Sequence, residues 1–219
     1  MRRIFVFDAY GTLFDVHGAV RRHEAAVGPD AAKLSDIWRT KQLEYAFVRS
    51  LSGRYRDFEA LTAEALDTAF AMVPSADRSL REALLDAYRT LAPYPDARPL
   101  LEHLKAGGHS LAILSNGSPG MLADAVGAAG FEPLFDCVLS VDTIHRYKPD
   151  PAVYEMVTKH FGVGRPEISF QSSNRWDIAG ASRFGFRTNW INRSGAPDEY
   201  PDLKPDAVLT SLADLMPGK

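Results

Sequence analysis

The chain has 219 residues, 46% of them hydrophobic, a formal charge of −3 at neutral pH and a single cysteine. That length holds one substantial core, or one core plus a smaller satellite domain. The slight acidity argues against a nucleic-acid surface, no apolar stretch approaches the roughly 20 residues of a bilayer span, and one cysteine excludes an internal disulfide or a thiolate metal cluster. Met1-Arg2-Arg3 precedes an apolar run, but Asp8 interrupts it and no small-residue cleavage site follows, so the expected location is the cytoplasm.

The first element is a strand over 3–8, an apolar run that ends in a carboxylate. Residues 15–91 then hold amphipathic helical stretches and no convincing strand, at about 18–27, 31–51, 56–72 and 77–91. Pro93-Tyr94-Pro95 marks a return hinge, because proline disfavours helix in the residue before it. From there strands alternate with helical patterns: a strand at 110–115, a helix near 119–129, and a strand at 137–140, in which Cys137 is expected to be buried by packing. A helix near 150–161 and strands at 168–171, 187–192 and 206–209 follow. The rhythm predicts an α/β protein with a Rossmann-like, doubly wound parallel sheet, built from 1–14 and 92–219, and a helical cap over 15–91 inserted after the first strand.

Ligands of such sheets sit at the carboxyl ends of the strands. Four polar clusters fall there: Asp8 with Thr12, Ser115-Asn116-Gly117, Lys148-Pro149, and Ser172-Ser173-Asn174 with Asp177. Taken singly, each has an ordinary explanation as a turn, a solvated lysine or a helix cap. Four of them at four strand ends call for a shared site. An ionised carboxylate at Asp8 needs hydrogen bonds or a cation, and covalent catalysis is one reason for keeping it there.

Asp8-Ala9-Tyr10-Gly11-Thr12, Ser115-Asn116-Gly117, Tyr147-Lys148-Pro149 with Tyr154, and Ser172-Ser173-Asn174-Arg175-Trp176-Asp177 resemble the four motifs of the haloacid dehalogenase superfamily. Within it the chain is most similar to the (S)-2-haloacid dehalogenases. Trp38-Arg39-Thr40-Lys41-Gln42-Leu43-Glu44-Tyr45 and Gly53-Arg54-Tyr55-Arg56-Asp57-Phe58 resemble that group's cap signature. The resemblance implies hydrolysis of short (S)-2-haloalkanoic acids to (R)-2-hydroxy acids through an ester on Asp8, with no cofactor and no metal. It implies the 2-haloacid and the released halide ion as small-molecule partners, and a homodimer.

It also implies the residue roles. Asp8 attacks carbon as a desolvated carboxylate held in line with the carbon–halogen bond, and Lys148 keeps it ionised. Arg39, reaching down from the insert, and Asn116 take the departing halide; removing such a donor typically costs about 3 to 4 kcal/mol of barrier. Ser115, Lys148 and the backbone N–H groups after Asp8, from Ala9 onward, receive the substrate carboxylate. Asp177, with Asn174, Ser172 and Lys148, directs a water onto the aspartyl carbonyl; Thr12 holds Asp8 and Tyr154 supports the network. Tyr10, Leu43, Phe58 and Trp176 form an apolar wall.

A magnesium-dependent phosphatase of the same superfamily is the competing reading. It needs an acid two residues after the nucleophile and hard carboxylate ligands for the metal. Tyr10 stands at the first position, and Arg175-Trp176 separate Asn174 from Asp177. A catalytically silent relative is the third reading, opposed by the presence of every expected catalytic residue type. Gln171, where an apolar residue is expected, and Arg175, where a small one is more familiar, should either change the pocket's polarity or face solvent. His17, His23, His103, His109, His145 and His160 lack paired spacing and are read as surface or helix-end residues, not metal ligands.

Overall fold

The computed structural model of the protein describes residues 3–216. Six strands, β1 Ile4–Phe7, β2 Ser110–Ser115, β3 Cys137–Ser140, β4 Ile168–Ser172, β5 Arg187–Ile191 and β6 Ala207–Leu209, form one sheet in the order β3-β2-β1-β4-β5-β6. Every pairing is parallel. The central strands read as continuous apolar runs because both faces are covered: all of β2 and Phe5 to Phe7 of β1 are buried. β1 registers Phe7 against Ile113 of β2 on one side and against Gln171 of β4 on the other. The chain winds outward from β1 to β2 and β3, then returns to β4 and continues the other way. The switch point therefore lies between β1 and β4, where Asp8 and Ser172 emerge.

Five α-helices lie between β1 and Pro93: α1 Gly18–Arg22, α2 Glu24–Val27, α3 Ala31–Leu51, α4 Phe58–Met72 and α5 Arg81–Arg89. Gly28 ends α2 at a φ of 88°, a conformation that costs glycine little. The stretch expected as one helix over 18–27 is two, interrupted at His23. The α3 and α4 helices pack lengthwise, and Asp57 caps α4 by accepting from the Ala60 N–H at 2.8 Å. The outgoing and returning chains lie side by side, with Asp15 N–H on Ala92 O at 3.0 Å and Tyr94 N–H on Leu13 O at 2.8 Å. Pro93 thus sits at the crossing, where its missing N–H is not needed.

After the crossing come α6 Ala97–Ala106, α7 Pro119–Ala128, α8 Pro151–Phe161 and α9 Arg175–Phe184. Helix α6 was not singled out from sequence, although its Leu100, Leu101 and Leu104 make a buried apolar stripe. Cys137, expected to be buried, is only half-buried, because β3 is an edge strand with one face open. Burial still pushes its thiol up to about 11, so it is a poor nucleophile at neutral pH.

Candidate active site

Asp8 is 5% exposed at the tip of β1. Its two oxygens are in different circumstances. Oδ2 accepts from Asn174 Nδ2 at 2.8 Å, Thr12 Oγ1 at 3.0 Å and Ser172 Oγ at 3.4 Å. Among the described residues Oδ1 accepts from Lys148 Nζ alone, at 3.1 Å. The hydroxyl protons have no choice of direction. Ser173 N–H donates to Thr12 Oγ1 at 2.8 Å and Asn174 N–H donates to Ser172 Oγ at 3.1 Å, so each hydroxyl's proton is left for the carboxylate.

Lys148 lies at the bottom of the site with no exposed side-chain surface, its ammonium between Asp8 and Asp177 Oδ2, the latter at 2.8 Å. Burial acts to lower its pKa, but the fields of Asp177 and Asp8 outweigh it and hold the pKa above the ordinary lysine value. Burial pushes the Asp177 carboxyl up to about 6; the Lys148 ammonium opposes that rise and the Asp8 charge adds to it. Tyr154 donates to Asp177 Oδ1 at 2.8 Å. Gly180 on α9 makes room for this hydroxyl, since a Cβ there would stand 2.4 Å from the Tyr154 oxygen.

Above Asp8 is a tight cavity of about 10 Å³, lined by Asp8, Tyr10, Arg39, Leu43, Phe58, Ser115, Asn116, Asn174 and Trp176. Arg39 descends from α3, and its Nη2 donates to Tyr10 O at 3.2 Å and to Asn174 Oδ1 at 3.4 Å. Asn116 Oδ1 accepts the Lys148 backbone N–H at 3.0 Å, which leaves its amide NH2 pointing the other way. The loop after Asp8 turns on bonds from Thr12, Leu13 and Phe14 N–H to Ala9 O; the N–H groups of Ala9 and Tyr10 take no part in them.

The family model for haloacid dehalogenase-like hydrolases matches residues 3–185. The chain is 48% identical over 214 residues to (S)-2-haloacid dehalogenase 1 of Pseudomonas sp. (strain CBS-3), covering 97% of this chain and 94% of that one. It is 46% identical over 216 residues to (S)-2-haloacid dehalogenase 4A of Burkholderia cepacia, covering 98% and 94%. The chain belongs to the (S)-2-haloacid dehalogenase family. A solved structure of L-2-haloacid dehalogenase from Xanthobacter autotrophicus, with chloropropionic acid covalently bound, superposes with a TM-score of 0.87 at 38% identity, covering 98% of this chain and 97% of that one.

The haloacid dehalogenase fold brings the sequence-selected residues together in two layers. Asp8, Tyr10, Arg39, Leu43, Phe58, Ser115, Asn116, Asn174 and Trp176 face the cavity, whereas Thr12, Lys148, Tyr154, Ser172 and Asp177 lie buried around and beneath Asp8. Ala9 is fully buried and outside the lining, so its side chain is not available to a ligand. Two expectations need correction. Gln171 neither faces solvent nor enters the pocket: it is fully buried, and its amide lies with Ser169 and Asn189, away from Asp8. Arg175 is 5% exposed and turned aside; its Nε donates to Asp198 Oδ1 at 2.6 Å and its Nη2 to the Tyr200 and Leu203 carbonyls at 3.1 and 3.0 Å. It pins the irregular segment between β5 and β6.

Among the described residues no group of three His, Cys, Asp or Glu side chains could hold a metal ion. The histidines are exposed or half-buried, and His17 and His109 hydrogen-bond Ser35 Oγ and the Arg3 N–H. Sequence reading missed Tyr88, near the end of α5. Its ring stacks on Tyr10 at 5.6 Å and its hydroxyl reaches Gln42 at 3.3 Å. The only signal was an aromatic on the apolar face of an amphipathic helix, which reads as core.

Proposed function

We propose that the protein hydrolyses short (S)-2-haloalkanoic acids to (R)-2-hydroxyalkanoic acids through an ester on Asp8. The observation that carries the reading is the asymmetry of that carboxylate: Oδ2 is saturated with three donors while Oδ1, bonded among the described residues only to Lys148, keeps a lone pair for a forming bond. Oδ1 attacks C2, the carbon–halogen bond breaks, and the halide leaves with the bonding pair. Arg39 and the Asn116 amide receive it, stabilising charge that is larger in the transition state than in the substrate. Ser115 and the Ala9 and Tyr10 N–H groups receive the substrate carboxylate, and Tyr10, Leu43, Phe58 and Trp176 keep water from the nucleophile.

In the ester, Oδ2 has become the carbonyl oxygen and still faces Thr12, Asn174 and Ser172. A water attacks the Asp8 Cγ, gives its proton to Asp177, and places negative charge on Oδ2 among those donors. The bond from Cγ to Oδ1 then breaks, the oxygen that was Oδ1 takes the proton held by Asp177 and leaves as the hydroxyl of the product, and the restored Asp8 carboxyl gives up the other water proton. C2 is displaced once, so its configuration inverts. Asp177 serves as base only when ionised. The ester removes the Asp8 charge that adds to the rise of the Asp177 carboxyl, so ester hydrolysis is expected to slow roughly tenfold per pH unit starting at a pH below about 6, while halide release in a single turnover is less affected. Quench-flow halide measurements against pH check this; parallel acid limbs for both steps would remove Asp177 from the second.

Segment 15–91 acts as a lid on a core of 1–14 and 92–219, a reading supported by Arg39 descending from α3. The protein works in the cytoplasm as a homodimer; the exposed Val48 and Leu51 on α3 support an association surface. No helix among the described residues is long and apolar enough to cross a membrane. Magnesium-dependent phosphoryl transfer lacks its second acid: the Tyr10 ring stacks on Tyr88 and packs at a tilt against Phe58, and its buried hydroxyl has no partner among the described residues. The deciding assay is halide release from each enantiomer of 2-chloropropionate in excess EDTA. Release from the (S) form is expected; a folded protein that releases none, or that releases phosphate with magnesium instead, overturns the reading.

A further inference from the structure

The loop that carries Asp8 is anchored from outside the site, through the carbonyl of Thr12. Arg193, just past the end of β5, donates from Nη2 to Thr12 O at 3.1 Å. The same guanidinium forks onto Asp96, from Nη1 to Oδ2 at 2.7 Å and from Nη2 to Oδ1 at 3.0 Å. Asp96 Oδ2 also accepts from the Ser211 hydroxyl at 2.7 Å and the Leu212 N–H at 2.9 Å. Burial works to raise the Asp96 pKa, but the hydrogen bonds from Arg193 and Ser211 outweigh it and hold the carboxyl below its ordinary value. Arg193 therefore faces an ionised partner, and its charge is neutralised there rather than at Asp8. The guanidinium lies over the Tyr94 ring, 4.1 Å from its centre. Its Nε is buried with no hydrogen-bond partner among the described residues, so the Nη bonds and the ring set its plane.

Thr12 depends on this anchor because its own backbone bond is weak. Its N–H reaches Ala9 O at 3.3 Å, whereas Leu13 and Phe14 N–H reach the same carbonyl at 2.9 and 3.0 Å. The next carbonyl, Leu13 O, accepts from Tyr94 N–H at 2.8 Å. Two successive carbonyls of the loop are thus held by the returning chain, one directly and one through Asp96 and Arg193. We propose that Arg193, fixed by Asp96, is a positioning residue for ester hydrolysis: it holds the Thr12 backbone so that the Thr12 hydroxyl stays aimed at Asp8 Oδ2. The two halves of the reaction depend on that aim differently. When Oδ1 attacks carbon, charge on Oδ2 falls as the carboxylate becomes an ester, and a donor to Oδ2 gives the transition state no advantage. When water attacks Cγ, charge on Oδ2 grows, and the Thr12 hydroxyl 3.0 Å away stabilises it. Arg193 touches no reacting atom and acts through Thr12.

This role rests on the ester reading of Asp8, and the experiment separates the two. Arg193→Lys keeps a cation beside Asp96 but lacks the planar fork that spans Asp96 and the Thr12 carbonyl; Arg193→Met removes both. With (S)-2-chloropropionate, quench-flow halide release reports ester formation, and mass spectrometry of the peptide holding Asp8 follows ester decay. Ester decay is expected to slow about tenfold in both variants, short of the ~10²-fold typical of deleting such a donor, with halide release within about twofold of wild type. Alkylated Asp8 then accumulates in the steady state. In a Thr12→Val background, which has no hydroxyl to aim, adding Arg193→Lys should slow ester decay by less than about twofold more. Thermal unfolding of each variant reports its folding. Both steps slowed alike, neither slowed, or an Arg193→Lys effect undiminished by Thr12→Val overturns the positioning role in a protein that forms the ester. A wild type that forms no ester on Asp8 overturns that reading and the role together.

Discussion

Asp8→Asn is expected to abolish halide release, by roughly 10⁴-fold or more, while leaving the fold intact. The substitution keeps the shape of the side chain and the Thr12, Ser172 and Asn174 partners around it, but an amide oxygen is a far weaker nucleophile toward carbon than a carboxylate oxygen. The wild-type counterpart is isotopic. In ¹⁸O water under single turnover, the label should enter Asp8 and not the hydroxy acid, because the product takes Oδ1 and water restores the carboxylate. Mass spectrometry of the peptide holding Asp8, before and after one turnover, reads both the alkyl ester and the exchanged oxygen. Label appearing first in the product would mean that water attacks C2 directly, and residual activity in Asp8→Asn would agree with it. Either result removes the ester and, with it, the significance of Oδ2's three donors.

The parts of this site that were legible in sequence are those a strand end fixes locally. Asp8, Ser115, Lys148 and Ser172 follow or end strands whose apolar runs mark them, and a parallel sheet brings such ends to one edge whatever else the chain does. What stayed hidden depends on packing between elements far apart in the chain. Tyr88 reaches Gln42 across 46 positions, and nothing in either helix's periodicity separates an ordinary core tyrosine from one that stacks on Tyr10 beside the site. Gln171 and Arg175 were misjudged for the same reason. Their neighbours in sequence line the site, yet side chains alternate along a strand and rotate around a helix, and these two turn toward Asn189 and Asp198. The 18–27 stretch was read as one helix because periodicity says nothing about a break as short as His23.

Lys148→Met should be the most destabilising single change in the site, and its pH dependence should identify the cause. Methionine matches the volume of the lysine stem but withdraws the ammonium that stands 3.1 Å from Asp8 and 2.8 Å from Asp177. Two buried carboxylates then face each other without a cation, a situation that typically costs about 3 to 5 kcal/mol. The cheaper outcome is for one of them to take a proton. Asp177, already raised to about 6 by burial, is the one to do so, since Lys148 was opposing that rise. An acid whose pKa is higher folded than unfolded binds more protons in the native state, so stability rises as the pH falls from the folded value toward about 4. This happens in both proteins but over a wider window in the variant, so the gap between them should narrow on acidification. At the alkaline end the sign reverses. The raised pKa of Lys148 makes its contribution fully present below about 10.4, the unfolded lysine value, and lost only as the pH climbs through the folded value. Urea midpoints from pH 4 to 9 measure the acid side of the curve, where the gap is expected to narrow. A deficit under about 1 kcal/mol at pH 7, or one that does not change toward pH 4, would mean that Lys148 fills space between Asp8 and Asp177 without holding their charge.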